Sequence, residues 1–348
     1  MTIKRYGKDN SSLLSHKTSF FEDNQMHINK QKEMREVYLK QPRREKCKNC
    51  NTKFKDKVDF IKDSIEYIIC EQCCHLNGAY EDTESFCEQI YTIESGAKYA
   101  ENYKEDDLFN YNQRTTDIYI PKAEFLLNIL SSIDLKLDPY GLRYLDFGGG
   151  VGFFVSAMKK MGVSNIKGTD VSYSQVEYGN NMIGEKLLST HTLEETINFI
   201  ERVNTDVISM IGVLEHLKTP RDVLKGIKNN KNIKYIYISL PLFSLSVFLE
   251  IISTEVFHRQ LSGGHTHLYT EESIKYFCKE FGFEIIGEWW FGTDVVDLFR
   301  HISVTLESES NSSRELFKHK FLPLINALQL EVDKKHFSSE LHLVLKKN

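Results

Sequence analysis

The chain has 348 residues, 41% hydrophobic and 27% charged, with a formal net charge of −5 and an isoelectric point near 6.2. That composition supports a sizeable apolar core and excludes a mostly disordered chain, a collagen-like repeat and a disulfide-dense scaffold. No stretch reaches the roughly 18 uncharged apolar residues of a membrane span, because the longest candidate, Ile236 to Ile252, is broken by Pro241 and Glu250.

Residues 1–46 are polar, with eleven Lys and Arg against six Asp and Glu. They read as a basic leader, mostly solvated, with a helix near Gln25–Lys40. Its first residues, MTIKRYGKDNSS, show no apolar signal core. Residues 47–90 hold six of the seven cysteines. Four form two pairs, Cys47 with Cys50 and Cys70 with Cys73, nineteen residues apart. Four thiolates at this spacing suit one closed tetrahedral zinc site, structural because no coordination position stays open. Such a pattern belongs to a reducing compartment, so a cytoplasmic protein is expected. Cys74 stands where a knuckle often has glycine and is an alternative to Cys73 as the fourth ligand. Cys87 and Cys278 read as small buried hydrophobes. Residues 91–140 read as a helical connector, YTIESGAKYAENY and then IPKAEFLLNILSSIDL.

From residue 141 to 348 short apolar runs alternate with amphipathic stretches. Strands are expected at RYLDFG, NIKGTDV, EKLLST, DVISMIG, IKYIYISL and FEIIGEWW, with helices between them. A helix (FLPLINALQLEVDKK) and a last strand (SELHLVLKK) close the domain. The alternation predicts an α/β fold with a parallel sheet.

The segment Tyr144-Leu-Asp-Phe-Gly-Gly-Gly-Val-Gly152 runs a strand into a glycine cluster that opens a helix. Glycine serves where the backbone takes positive φ or lies against a ligand, and the helix start adds unpaired N–H groups. A second strand ends in Gly168-Thr169-Asp170-Val171. An acid about 20 residues past such a turn is placed to accept two ribose hydroxyls. The register Asp146-x-Gly148-x-Gly150-x-Gly152 resembles motif I of the class I S-adenosylmethionine (SAM) methyltransferases, and Asp206 to Leu217, with Glu215-His216, resembles that family's fourth strand and following loop. The resemblance implies a Rossmann-like seven-stranded SAM methyltransferase sheet over about residues 120–348, beside a small N-terminal zinc-ribbon-like module. It implies SAM on Asp146, Gly148, Gly150, Gly152, Asp170, Val171 and Ile211, with adenine near Val171 and Leu188–Thr192. The cysteine segment and the residues after it resemble the N-terminal zinc domain of bacterial sugar C-methyltransferases. That likeness implies a sugar-like acceptor.

Two segments are expected on the acceptor side. In Phe257 to Thr270, His265 and His267 read as metal ligands, as a base, or as plain loop histidines. In Glu288 to Arg300, the only two tryptophans flank a glycine and two carboxylates, so Asp294 reads either as an acceptor ligand beside aromatic faces or as a helix cap. His216, directly after the SAM-edge strand, is the first choice of base and His265 the second. His267 and Asp294 are the expected acceptor contacts. The leading expectation is methyl transfer to a small polyhydroxylated acceptor, a nucleotide sugar or surface-polysaccharide precursor. The alternatives are an RNA methyltransferase, disfavoured by the acidic net charge, and a non-catalytic zinc adaptor on a SAM fold. The oligomeric state is not readable from the sequence.

Overall fold

The computed structural model describes residues 2–10, 23–55, 57–87, 108–261 and 265–348. The helix expected over 91–103 lies outside them. Twelve strands are described: β1 (Ile3–Tyr6), β2 (Phe60–Lys62), β3 (Ile65–Ile69), β4 (Leu76–Gly78), β5 (Tyr144–Phe147), β6 (Ile166–Asp170), β7 (Leu188–Thr190), β8 (Val207–Ile211), β9 (Tyr235–Pro241), β10 (His267–Leu268), β11 (Phe283–Phe291) and β12 (Glu340–Lys347).

Eight of them form one sheet, ordered β1-β11-β12-β9-β8-β5-β6-β7. Strands β5 to β9 are parallel, and β12 runs antiparallel to both β9 and β11. All seven residues of β9 are buried, as expected of a parallel strand covered by helices on both faces. Its alternate side chains feed two cores. Ile236, Ile238 and Leu240 join one, and Tyr235 and Tyr237 join the other. The order reverses at β5, where β6 and β8 lie on opposite sides. Open α/β sheets bind ligands at such a switch point.

The sequence reading has seven strands, and the structure adds an eighth. β1 comes from the basic leader and pairs parallel with Gly287 to Trp290. Arg5 lies 3.9 Å from the Trp289 ring centroid, and Trp289 Nε1 donates to the Gly7 carbonyl at 2.8 Å. The leader's cations meet acids of the body: Lys4 with Glu288, Arg35 with Asp63, Arg43 with Glu66, and Arg44 with Glu81 and Asp82. The described leader is thus anchored to the fold by strand pairing and ion pairs, while most of its side chains keep the expected contact with solvent. Its charges lie on an edge strand, which tolerates them, so no alternating pattern advertised it. The expected leader helix forms as Asn24–Leu39.

Strands β10, β4, β3 and β2 form a second, antiparallel sheet. Three come from the cysteine-rich module and the fourth, β10, from the α/β domain. The module is therefore joined to that domain through backbone pairing of His267 with Asn77 and Leu268 with Leu76. At the C-terminal end, helices Asp294–Glu309, Asn311–Phe321 and Ile325–Lys334 sit between β11 and β12 in the chain. Phe299, Phe317 and Phe321 pack together there, and Pro323 splits the expected last helix with a 3₁₀ turn.

Candidate active site

The turn after β5 is held from below. Gly148 and Gly149 donate to the Thr169 carbonyl at 2.8 and 3.0 Å. Asp170, at the end of β6, accepts from Gly150 N at 2.8 Å with one oxygen and from Ser172 N at 2.9 Å with the other. Gly148, Gly150 and Gly152 take φ of 71°, 52° and 77°. A Cβ at Gly148 would stand 2.6 Å from Val213 Cγ2. The glycines thus meet both demands, left-handed backbone and close approach. We expect Gly148→Ala to lose roughly 1–2 kcal/mol from its backbone alone and more from the clash. Denaturant unfolding with and without Val213→Ala separates the two, because truncating Val213 relieves only the clash.

Above this turn lies a cavity of about 470 Å³, within the range of small-ligand sites. Asp146, Gly148, Gly150, Asp170, Val171 and Ile211 line it. Gly152 does not. It occupies the N-cap of helix Phe153–Lys160 in left-handed conformation. Asp146 accepts from Ser209 Oγ at 2.7 Å, and burial pushes its carboxyl up to about 7. Met34 of the leader helix, which sequence reading did not single out, and His191, inside the Leu188–Thr192 segment expected near the adenine, also line the cavity. His191 bonds through Nδ1 to Thr169 Oγ1 at 2.9 Å and stacks on Phe199, while its buried Nε2 has no partner among the described residues. It directly follows the three-residue strand β7, whose weak pattern marked the segment but not the residue.

Across β5 from Asp170, β8 leads through Gly212 into a 3₁₀ turn, Leu214–His216. His216 reaches the cavity. Its ring centroid lies 5.1 Å from that of His265. His265 Nδ1 donates to the Gln260 carbonyl at 3.0 Å, and burial lowers its pKa to about 4. Glu215 is buried, which raises its carboxyl to about 8. Glu215, His216 and His265 each bring one ligand-capable atom within 4.8 Å of the others. The structure thus gathers the two expected bases and adds an acid.

The two expected acceptor contacts are corrected. His267 is fully buried, bonded through Nδ1 to His75 Nε2 at 2.8 Å, and absent from the cavity lining. Asp294 is also fully buried. One oxygen accepts from Ser244 and Ser246, the other from Gln329 and Ser339, so no lone pair points to a ligand. Trp289 and Trp290 are core; the second stacks on His336 at 4.0 Å. Sequence alone left open that the tryptophans are core, which they are, and that Asp294 caps a helix; the N-cap is Thr293, and the Asp294 carboxylate instead anchors a buried polar network.

Residues 121–288 match the family model described as a methyltransferase domain. The glycine turn, Asp170 and the switch-point cavity all lie inside the matched segment. Over that segment the α/β domain is similar to a methyltransferase domain. No curated protein sequence matches the chain. Solved structures similar to it include magnesium protoporphyrin IX methyltransferase from Synechocystis PCC 6803 with bound SAH, at 13% identity over 76% of this chain and 100% of that one, TM-score 0.47. Others are a SAM-dependent methyltransferase from Archaeoglobus fulgidus, at 16% identity, 70% and 100% coverage and TM-score 0.40, and the small RNA methyltransferase HEN1, at 14%, 67% and 26%, TM-score 0.43.

In the N-terminal module Cys47, Cys50, Cys70 and Cys73 are buried and converge within 4.8 Å. Sγ separations are 3.7 Å for Cys47–Cys73 and 3.4 Å for Cys50–Cys70, against about 3.7 Å across a tetrahedron with 2.3 Å Zn–S bonds. Asn51 N returns to the Cys47 carbonyl and Cys74 N to the Cys70 carbonyl, both at 2.8 Å. Asn49 and Asn77 amides point at Cys73 and Cys47 sulfurs, at 3.5 and 3.6 Å. Cys74 takes positive φ, 59°, and is exposed. It fills the glycine position of the knuckle, and Cys73 rather than Cys74 joins the four-sulfur cluster.

Proposed function

We propose that the protein transfers a methyl group from SAM to a small polyhydroxylated acceptor, a nucleotide sugar or surface-polysaccharide precursor, in the cytoplasm, and that its four cysteines hold one structural zinc ion. The observation carrying the donor assignment is the glycine turn bonded to Asp170 at the floor of the switch-point cavity. When bound, SAM supplies a methyl group activated on a positively charged sulfur. Asp170 is the ribose ligand, Asp146 faces the methionine end, and His191 Nε2 faces the adenine side with Val171.

Glu215, His216 and His265 stand on the other side of β5 and form the polar end at which an acceptor hydroxyl is held. Holding donor and acceptor in line is the main source of rate in such transfers. The sugar reading rests on this polar end and on the zinc module's likeness to that of sugar C-methyltransferases. The net charge of −5 weighs against a nucleic-acid acceptor.

The deciding experiment incubates the protein with methyl-labelled SAM and an extract of the source cells. Label in the small nucleotide-linked fraction supports the reading and identifies the acceptor by mass. Label in RNA replaces it.

Asp146 adds a pH dependence. Its free-protein carboxyl is raised to about 7, and a bound ammonium favours the ionised form. SAM affinity is therefore expected to fall as pH drops below 7, by up to about tenfold per unit. Calorimetry between pH 5.5 and 7.5 checks this. A slope that persists in Asp146→Asn places its origin elsewhere.

A further inference from the structure

Glu215 is a carboxylate whose geometry is unexplained by the fold. It is buried, and its Oε2 has no hydrogen-bond partner among the described residues. Leaving such an oxygen unpaired costs several kcal/mol, and the nearest cationic candidate is His216, whose Nε2 lies 4.0 Å from Oε1. His265 is oriented in a way that suits ligation. Its Nδ1–H is spent on the Gln260 carbonyl, which fixes the tautomer and leaves the Nε2 lone pair available. A backbone carbonyl behind an imidazole is the usual outer support of a metal-bound histidine. Gly212 supplies the left-handed backbone, at φ 68°, that turns the chain from β8 into the segment carrying Glu215.

We propose that Glu215, His216 and His265 form a divalent-cation site at the acceptor end of the SAM cavity, distinct from the four-cysteine site. This rests on the methyltransferase reading above and adds how that end of the site holds its acceptor. Two imidazoles and one carboxylate on one side of an ion leave its remaining positions open, a set suited to first-row divalent metals. The four thiolates select a softer, closed environment. The three donors already lie within 4.8 Å; bonds of about 2.1 Å bring them to roughly 3 Å apart, a closure within reach of side-chain rotation.

The ion's open positions face the cavity through His216. They take one or two hydroxyl oxygens of the acceptor, so a vicinal diol is the natural ligand. A coordinated hydroxyl gives up its proton to water more readily. Its oxygen then forms the new O–C bond as the C–S bond breaks and the electron pair stays on sulfur. The sulfonium becomes a neutral thioether, so charge balances with one proton released per transfer. In this scheme His216 and His265 are ligands rather than bases.

The test uses the full chain with its cysteine site zinc-loaded, and Mn²⁺ as the probe. Free Mn²⁺ is followed by electron paramagnetic resonance, and SAM labelled with ¹³C at its methyl group is followed by NMR. The expected result is one Mn²⁺ bound per chain and strong broadening of the methyl resonance, with both effects lost in Glu215→Gln and His265→Ala while SAM affinity stays within about threefold. Retained SAM affinity shows that the variants are folded. Absence of stoichiometric Mn²⁺ binding to the SAM-loaded protein at millimolar metal overturns the site and returns the histidines to acid–base roles. Mn²⁺ binding that survives both variants, or that leaves the methyl signal sharp, also overturns it. Stoichiometric binding near the methyl group, combined with no label transfer to any hydroxylated fraction of the extract, leaves the metal site standing and removes the sugar reading instead.

Discussion

Asp170→Ala is expected to weaken SAM binding by on the order of a hundredfold or more, with zinc content unchanged at about one ion per chain. A charge-assisted hydrogen bond contributes about 1.5–3 kcal/mol, and the ribose offers two hydroxyls. The substitution does further damage, because Asp170 also holds the cradle. Its oxygens accept from Gly150 N and Ser172 N, and Gly150 sits at φ 52° with that bond as its described tether. Asp170→Asn separates the two roles. An amide oxygen keeps one backbone acceptor but loses the charge, so affinity falls less than in the alanine variant. Calorimetry with SAM measures the affinity and mass spectrometry the metal. Equal loss of SAM binding and zinc would mean that the chain unfolded. Unchanged affinity in both variants would remove Asp170 from the donor site.

The donor half of the site was legible because its chemistry is local. Strand, glycine turn and Asp170 lie within Tyr144 to Val171, and their spacing is imposed by backbone contacts that a sequence displays. The cysteine pairs are legible for the same reason. The acceptor half is assembled from a distance. His265 meets His216 across 49 positions, and Met34 reaches the cavity from a polar leader helix with little periodic apolar pattern to mark a buried face. The misreadings share that cause. Asp294 and His267 are polar residues in segments that face the active edge, yet each is consumed by a partner far along the chain. Ser244 and Ser339 flank Asp294, and His75 takes His267. A buried polar residue must find such partners, and sequence spacing does not reveal which.

Breaking the cysteine site is expected to abolish methyl transfer while SAM binding persists within about threefold. The donor cradle rests on β5, β6 and β8, none of which pairs with the module. The acceptor end does depend on it. His265 lies two residues before the first residue of β10, whose His267 and Leu268 pair with Asn77 and Leu76 of the module. Gly78 N donates to the Thr266 carbonyl at 2.8 Å, and Asn49 of the first knuckle donates to the Ser273 carbonyl at 2.9 Å. One step later Tyr269 forms an isolated bridge to Leu242, the residue that follows β9 of the main sheet. The segment carrying His265 is thus clamped between the two sheets, and one jaw is shaped by the four thiolates. Structural zinc contributes on the order of 10 kcal/mol to such a module, more than its small sheet supplies without the ion. Cys70→Ser with Cys73→Ser removes the jaw without a chelator, which would also strip the proposed cation. Zinc content, SAM affinity and label transfer are then read on the same preparation. Transfer that survives zinc loss would show that His265 is held without the module. Parallel loss of SAM binding would show that the module supports the whole fold, Met34 and the leader helix included, rather than the acceptor end alone.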